Sequence, residues 1–418
     1  MQTKKNKFWK NIGWMYGLKA VDYIFPLLLI PYLIRTIGVG NYGLLTTVQA
    51  FMGYLSIVVS YGFELTATRN IAIHSDDMQL VKTEFNSVMA SKILIAGLVF
   101  FCLCLGLILL PLSWNVKTFY WIGFLLVIGD LLFPSWFFQG MQKLKFITIL
   151  NCLIKSLYLL FVLLFVHTEA DYYYTILCQG IAWVLAGVVS LVLIKRIFGF
   201  WPHPSFSHQV IWAQLKAGYP IFISNACGNI YGKGALILTG LVAGHSAAGY
   251  YALAEKICGT IASLVSPYVN VLYPVICQKY EESRFAFYQY LHKLYKYIFI
   301  TDICLISILW ICAGLASWII QGYVDERLVL LIRGMSFVTV GTIINVLLHP
   351  FLLAAGKFKE IQRIYMCISV VFLGISIPFL HFISYWGMVI SMIVVEYSIS
   401  CYYIYQLHKG YKAIWDKE

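Results

Sequence analysis

Residues Ile93 to Leu112 read ILIAGLVFFCLCLGLILLPL, without a single charged or amide side chain. A helix needs about 20 apolar residues to cross a hydrocarbon core about 30 Å thick, and this stretch supplies them. Leu157 to Val166 is another unbroken run. A barrel strand would alternate polar and apolar residues over about ten positions. An open sheet would leave backbone donors and acceptors unpaired in lipid, whereas a helix pairs its own. The whole chain shares this character, with 418 residues, 61% hydrophobic and 11% charged, and a mean hydropathy of +0.80. A soluble fold of this size could not hide so much apolar surface. The composition therefore predicts an all-α polytopic membrane protein.

Cutting the chain into apolar runs of about 20 residues predicts twelve spans, at 11–36, 43–66, 89–111, 119–138, 147–167, 172–194, 217–243, 249–277, 297–319, 328–354, 361–383 and 386–408. Met1 to Lys10 carries Lys4, Lys5, Lys7 and Lys10 beside Phe8 and Trp9, and no small-residue cleavage site follows the first apolar stretch. This reads as a retained cytoplasmic anchor rather than a removed signal peptide. With both termini cytoplasmic, most of the 30 Lys and Arg residues fall in segments on that side, Lys92 among them. Arg35, Lys117, Arg327 and Arg333 fall on the other. That bias sets the orientation. It also accounts for the net charge of +12 without nucleic acid, because the basic residues lie between spans and form no basic domain. The expected organisation is a basic anchor at 1–10, a six-helix lobe at 11–196, a cytoplasmic linker at 197–216, a second six-helix lobe at 217–408 and a cytoplasmic tail at 409–418.

Two segments recur. Pro134-Ser-Trp-Phe-Phe-Gln-Gly140 matches Pro350-Phe-Leu-Leu-Ala-Ala-Gly356 at an offset of 216, and Gly38-Val-Gly-Asn-Tyr-Gly43 matches Gly244-His-Ser-Ala-Ala-Gly249 at an offset of 206. Each expected half has six spans and begins inside, so the halves read as parallel repeats about an axis along the membrane normal, enclosing a central cavity.

A charge at the bilayer centre costs on the order of 3 kcal/mol, so intramembrane ionisable residues are functional candidates. Lys19 and Asp22, one helical turn apart, sit about 12–17 Å along the first span at 1.5 Å per residue and neutralise one another on one face. Lys155 is similarly deep. Asn225, Asn229 and Lys233 form a stripe at four-residue spacing, flanked by Gly228, Gly232 and Gly234, which loosen the helix. Glu255 and Lys256 point to different faces, so one of them pairs with another helix. Arg69, Lys155 and Asp302 lie near enough to the cytoplasmic side to snorkel. Glu64, Asp130 and Glu396 complete the acidic set, and burial favours neutral acids at the last two. A purely structural account competes with each: an inter-helix lock for Lys19 and Asp22, a satisfied core group for His349. Most tyrosines, such as Tyr172, Tyr173 and Tyr174, lie at span ends and read as an interfacial belt rather than a sugar-binding platform, although inward ones can stack on sugars. The 11 cysteines have neither metal-ligand nor paired spacing. The sequence holds no Gly-rich phosphate loop and no water-exposed carboxylate pair, and it predicts neither an enzyme nor a cofactor.

Several segments resemble the polysaccharide-transport branch of the multidrug/oligosaccharidyl-lipid/polysaccharide flippase superfamily. They are Gly40-Asn-Tyr-Gly43-Leu, Tyr61-Gly-Phe-Glu-Leu-Thr-Ala-Thr-Arg-Asn70, Pro134-Ser-Trp-Phe-Phe-Gln-Gly140, Gly249-Tyr-Tyr-Ala-Leu-Ala-Glu-Lys256 and Tyr273-Pro274. The stretch 61–70 is the most specific. Gln142 stands where relatives often carry a glutamate, so no acid role is assigned there. The resemblance implies movement of undecaprenyl-pyrophosphate-linked O-antigen units between leaflets of the bacterial inner membrane. Implied partners are that lipid, membrane lipids, an O-antigen polymerase and a chain-length regulator. On this reading Lys19, Lys233, Arg69, Lys155 and Lys256, with Asn225 and Asn229, offset the pyrophosphate charge, and Asp22, Glu64 and Asp302 couple transport to protons or ions. Two rivals are a drug antiporter of the same superfamily, which requires an acid-dominated cavity, and an O-antigen polymerase or ligase, which requires a large periplasmic loop.

Overall fold

The computed structural model describes the backbone of residues 2–415 except 205, and side chains from Phe25 to Tyr411 except those at 205, 210, 224, 266, 267, 270, 271 and 299. Lys19 and Asp22 therefore lie outside the described residues. Every assigned element among the described residues is helical, as the unbroken apolar runs require. Among the same residues, nine stretches are long and apolar enough to cross a membrane, so the chain is a multi-pass membrane protein. The first two expected spans run together in α1 (Gln2–Ser60), which breaks at Gly38 (φ 76°, ψ 165°) and counts from Phe25 as one 36-residue stretch. The segments expected at 217–243 and 249–277 are helical but fall outside the nine. Polar residues such as Asn225, Asn229, Glu255 and Lys256 dilute their hydropathy, and the second is broken at Leu264 and Val265.

The chain divides into two compact units, Met1–Asn229 and Ile230–Glu418. The first holds α1, α2 (Phe63–Ile73), α3 (Met78–Leu109), α4 (Trp114–Leu132), α5 (Ser135–Gly140), α6 (Leu144–Phe165), a single 3-10 turn (Glu169–Asp171), α7 (Tyr172–Phe198) and the first part of α8 (His208–Leu238). Asp77 caps α3, its carboxylate accepting from the amides of Gln79 at 3.0 Å and Leu80 at 3.2 Å. Thr168 and Asp171 form a reciprocal capping box around the 3-10 turn. Pro134 ends α4, because proline has no N–H to donate and bars its predecessor from helical geometry. The chain restarts as α5, burying Trp136, Phe137 and Phe138.

Lipid is as apolar as leucine, so helices in a bilayer associate through close backbone approach and polar contacts rather than through hydrophobic burial. The α4–α7 pair follows that rule. Gly129 lies against Trp183, Gly180 against Leu125 and Gly187 against Leu132, and Ser190 Oγ donates to the Leu132 carbonyl at 2.9 Å. The first part of α8 docks on α2 in the same way. A Cβ on Gly218 would stand 2.6 Å from the Tyr61 carbonyl oxygen, and Tyr61 stacks on Phe222 with ring centroids 4.6 Å apart. Glu84 of α3 accepts from Gln214 at 3.0 Å and from Asn70 at 2.9 Å.

The second unit holds the end of α8, a π-helical turn (Thr239–Ala243), α9 (His245–Ser263), α10 (Ser266–Glu282), α11 (Arg284–Gln321), α12 (Glu326–Ala354), α13 (Phe358–Ile383) and α14 (Tyr385–Trp415). Asp325 caps α12 by accepting from the Arg327 amide at 2.9 Å, and it also accepts from the Tyr250 hydroxyl of α9 at 2.7 Å. Gly244, which opens α9, has φ 91° and ψ 167°, nearly the conformation of Gly38, its sequence match. The second sequence match needs a correction of register. Lys143 N donates to Phe138 O at 2.8 Å and Lys357 N to Leu352 O at 3.0 Å, while Met141 N bonds Phe137 O and Ala355 N bonds Phe351 O. The two turns thus superpose at an offset of 357 − 143 = 214 and not at 216. The left-handed position holds Gly356 (φ 70°) in one turn and Gln142 (φ 54°) in the other.

Candidate functional site

In α12 and α14 of the second unit, close backbone approach creates a polar interior. Gly341 faces Glu396 so tightly that a Cβ there would lie 2.7 Å from the Glu396 Cβ. This proximity places Glu396, 6% exposed, beside the α12 amide of Asn345. Asn345 Nδ2 donates to Glu396 Oε2 at 2.7 Å and to the Glu396 carbonyl at 2.9 Å. Ser400 Oγ donates to Asn345 Oδ1 at 2.8 Å. A buried carboxyl is tolerated when hydrogen bonds satisfy it in this way.

One helical turn along α12, His349 Nδ1 lies 3.0 Å from the Tyr403 hydroxyl, which donates to the Tyr365 hydroxyl at 3.3 Å. His349, Tyr403 and Tyr365 are thus joined in one chain of hydrogen bonds. Tyr231 of α8 and Tyr365 of α13 lie within 7° of parallel, their centroids 6.3 Å apart. These groups open onto a cavity of about 440 Å³, lined by Tyr231, Tyr273, Thr342, Asn345, His349, Tyr365 and Glu396, with apolar walls from Val269, Val346, Leu353 and Ile399. Lysine and arginine are absent from its described lining.

The residues proposed from sequence are spread over both units. Glu64 lies in the first turn of α2, and Glu64 and Arg69 are both exposed. Lys155 is half-buried on α6. Asn225 and Asn229 lie on α8 in the first unit, where Asn229 Nδ2 donates to the Asn225 carbonyl at 2.9 Å, while Lys233 follows in the second unit. Lys256 on α9 is exposed and Glu255 is the inward member of that pair, close to Tyr251 and Cys258. Asp302 does not reach outward from α11 as expected. It is 6% exposed, and its Oδ1 has no hydrogen-bond partner among the described residues. Lys92, counted with the cytoplasmic charges, is 2% exposed on α3. His349 is held by Tyr403, in keeping with a satisfied core histidine, and it also lines the cavity.

A family model described as polysaccharide biosynthesis protein matches residues 8–280. A candidate O-antigen transporter of Escherichia coli (strain K12) is 29% identical over 276 residues, 66% of either chain. One of Shigella dysenteriae is 25% identical over 393 residues, 93% of this chain and 96% of its own. Among solved structures, a lipid II flippase, MurJ, in an inward closed conformation matches with a TM-score of 0.71 and 12% identity, covering 95% of this chain and 87% of that one. An inward-facing multidrug resistance MATE family transporter of the MOP superfamily matches with a TM-score of 0.66 and 13% identity, covering 92% and 98%. These likenesses establish a shared fold. The family match extends over more than half of the helical chain, from the first helix into α10, and the chain belongs to the polysaccharide biosynthesis protein family.

Proposed function

We propose that this protein is a transporter that flips lipid-linked oligosaccharide, the O-antigen unit on undecaprenyl pyrophosphate, from the cytoplasmic to the periplasmic leaflet of the bacterial inner membrane. The observation that carries the reading is the alignment with a candidate O-antigen transporter over 93% of this chain and 96% of the relative. The likeness to a lipid II flippase fold agrees with it. In this reading twelve helices form two parallel six-helix lobes, 11–196 and 217–408, with both termini cytoplasmic, and they alternate access to the two sides. Lys19, Lys233, Arg69, Lys155 and Lys256, with Asn225 and Asn229, offset the pyrophosphate charge, since cations along the path lower the cost of moving an anion through lipid. Asp22, Glu64 and Asp302 couple transport to protons or ions. The unit is then passed to a polymerase and a chain-length regulator.

The test is complementation of a strain lacking this gene. The wild-type chain restores surface polysaccharide, and Lys233→Ala abolishes it at unchanged membrane abundance. Normal polysaccharide in the Lys233→Ala strain would contradict the assignment. One observation favours a second reading, a proton- or sodium-coupled drug antiporter. The cavity of the second unit carries a carboxyl and no described lysine or arginine, as a site for small cations would. Drug resistance conferred by the chain, without effect on polysaccharide, would establish that alternative.

A further inference from the structure

We infer that the cavity of the second unit is a sugar subsite, which takes a neutral pyranose ring of the transported oligosaccharide. This rests on the transport reading above and specifies which part of the substrate one site reads.

The lining decides the ligand class. At about 440 Å³ the cavity falls in the range of small-molecule sites, about 300–1,000 Å³. Phosphate is the wrong ligand, because no described lysine or arginine lines the wall to attract it. A bare metal cation needs several convergent oxygens. Here the Glu396 carboxyl faces an N–H donor instead, Asn345 Nδ2 at 2.7 Å. A sugar ring combines an apolar C–H face with a rim of hydroxyls that both donate and accept. It therefore requires flat aromatic surface next to groups of mixed hydrogen-bonding sense. Tyr231 and Tyr365 provide aligned faces. A chain of hydrogen bonds runs from His349 through Tyr403 to Tyr365. Whichever way the protons pass along it, one end of the chain, at Tyr365 or at His349 Nε2, is left a donor and the other an acceptor. Both residues line the cavity, so one hydroxyl-bearing ring meets a donor and an acceptor held by the same network.

The test uses the full chain in two assays. In proteoliposomes, outward movement is followed by access of a membrane-impermeant lectin to two lipids: the complete repeat unit on its carrier, and the same carrier bearing only the first sugar. Tyr365→Phe, His349→Gln and Tyr231→Leu should each slow the complete unit about tenfold more than the one-sugar lipid. Equal slowing of both lipids would overturn the subsite and assign the cavity to coupling or folding, and the absence of any slowing would overturn it as well. In the second assay, the free repeat-unit oligosaccharide is titrated calorimetrically into the chain in lipid nanodiscs. Wild type should bind, and Tyr365→Phe should bind about tenfold more weakly. Saccharide binding without movement of either lipid would sink the flippase reading and leave the subsite standing. Movement of the lipids without saccharide binding would do the reverse.

Discussion

The Thr68 hydroxyl of α2 donates to the main-chain carbonyl of Trp136 in α5 across 3.1 Å. The contact joins two of the sequence segments that resemble the flippase superfamily, 61–70 and 134–140, so this part of the resemblance marks one packed joint. Gly140 sits at its centre. An added Cβ would meet Ile71 Cγ2 at 2.8 Å and the Thr68 carbonyl at 3.0 Å, and a helix backbone cannot retreat as a side-chain tip can. Gly140→Ala is expected to destabilise the protein by about 1–3 kcal/mol, the usual cost of overpacking, read as a lower melting temperature in detergent. Gly97→Ala, where nothing lies within 4 Å, should be neutral or stabilising by up to about 1 kcal/mol.

Gly218→Ala tests the seat of α8 on α2. Its Cβ would stand 2.6 Å from the Tyr61 carbonyl oxygen, forcing the helices apart and breaking the Tyr61–Phe222 stack. Loss of transport with a lowered melting temperature is expected. Wild-type values for both would show that the joint yields freely.

Asp302 is buried on α11 with an unbonded carboxyl oxygen. Such a group is costly unless its protonation is used. Asp302→Asn is expected to keep the protein folded while transport loses its dependence on an imposed pH gradient. An unchanged gradient dependence would remove Asp302 from the coupling set.

Lys357 lies in the turn between α12 and α13, outside the membrane-crossing stretches. Its ammonium donates to the Gln406 carbonyl at 2.7 Å. Burial, with Lys409 adding to it and Glu360 opposing it, holds its pKa below the ordinary 10.5. The folded state therefore binds this proton less well than the unfolded state does. The resulting penalty applies below the depressed pKa and fades as pH rises toward 10.5. Wild-type melting temperature should gain on that of Lys357→Met across this alkaline window, and parallel curves for the two proteins would refute the contribution.

Helix content was legible from sequence because apolar run length reports directly on spanning. So was a break between residues 36 and 43, which the structure places at Gly38, where glycine accepts the required backbone. Burial was harder to read. Lys92 was counted with the cytoplasmic charges because it stands at the start of the expected span 89–111, yet the face of α3 that carries it is turned into the protein. Asp302 looked close enough to the surface to reach it, but helix depth says nothing about which face a residue presents. The cavity was invisible for the same reason. Tyr231, His349, Tyr365 and Glu396 come from four helices whose pairing no periodicity encodes, and tyrosine abundance at span ends masked the inward ones. The two-residue slip between matched turns arose because Gln142 occupies a left-handed position that composition alone assigns to glycine.

The wide turn at Thr239–Ala243 has a bearing on how such chains diverge. A π turn holds one residue more than an α turn, so it is a place where the chain can shorten by a residue without losing its helix. A variant with that deletion would tighten the turn to α geometry, and the non-helical backbone of Gly244 directly after it would take up what shift remains. A single codon lost there would leave Tyr231 and Lys233 aimed as they are.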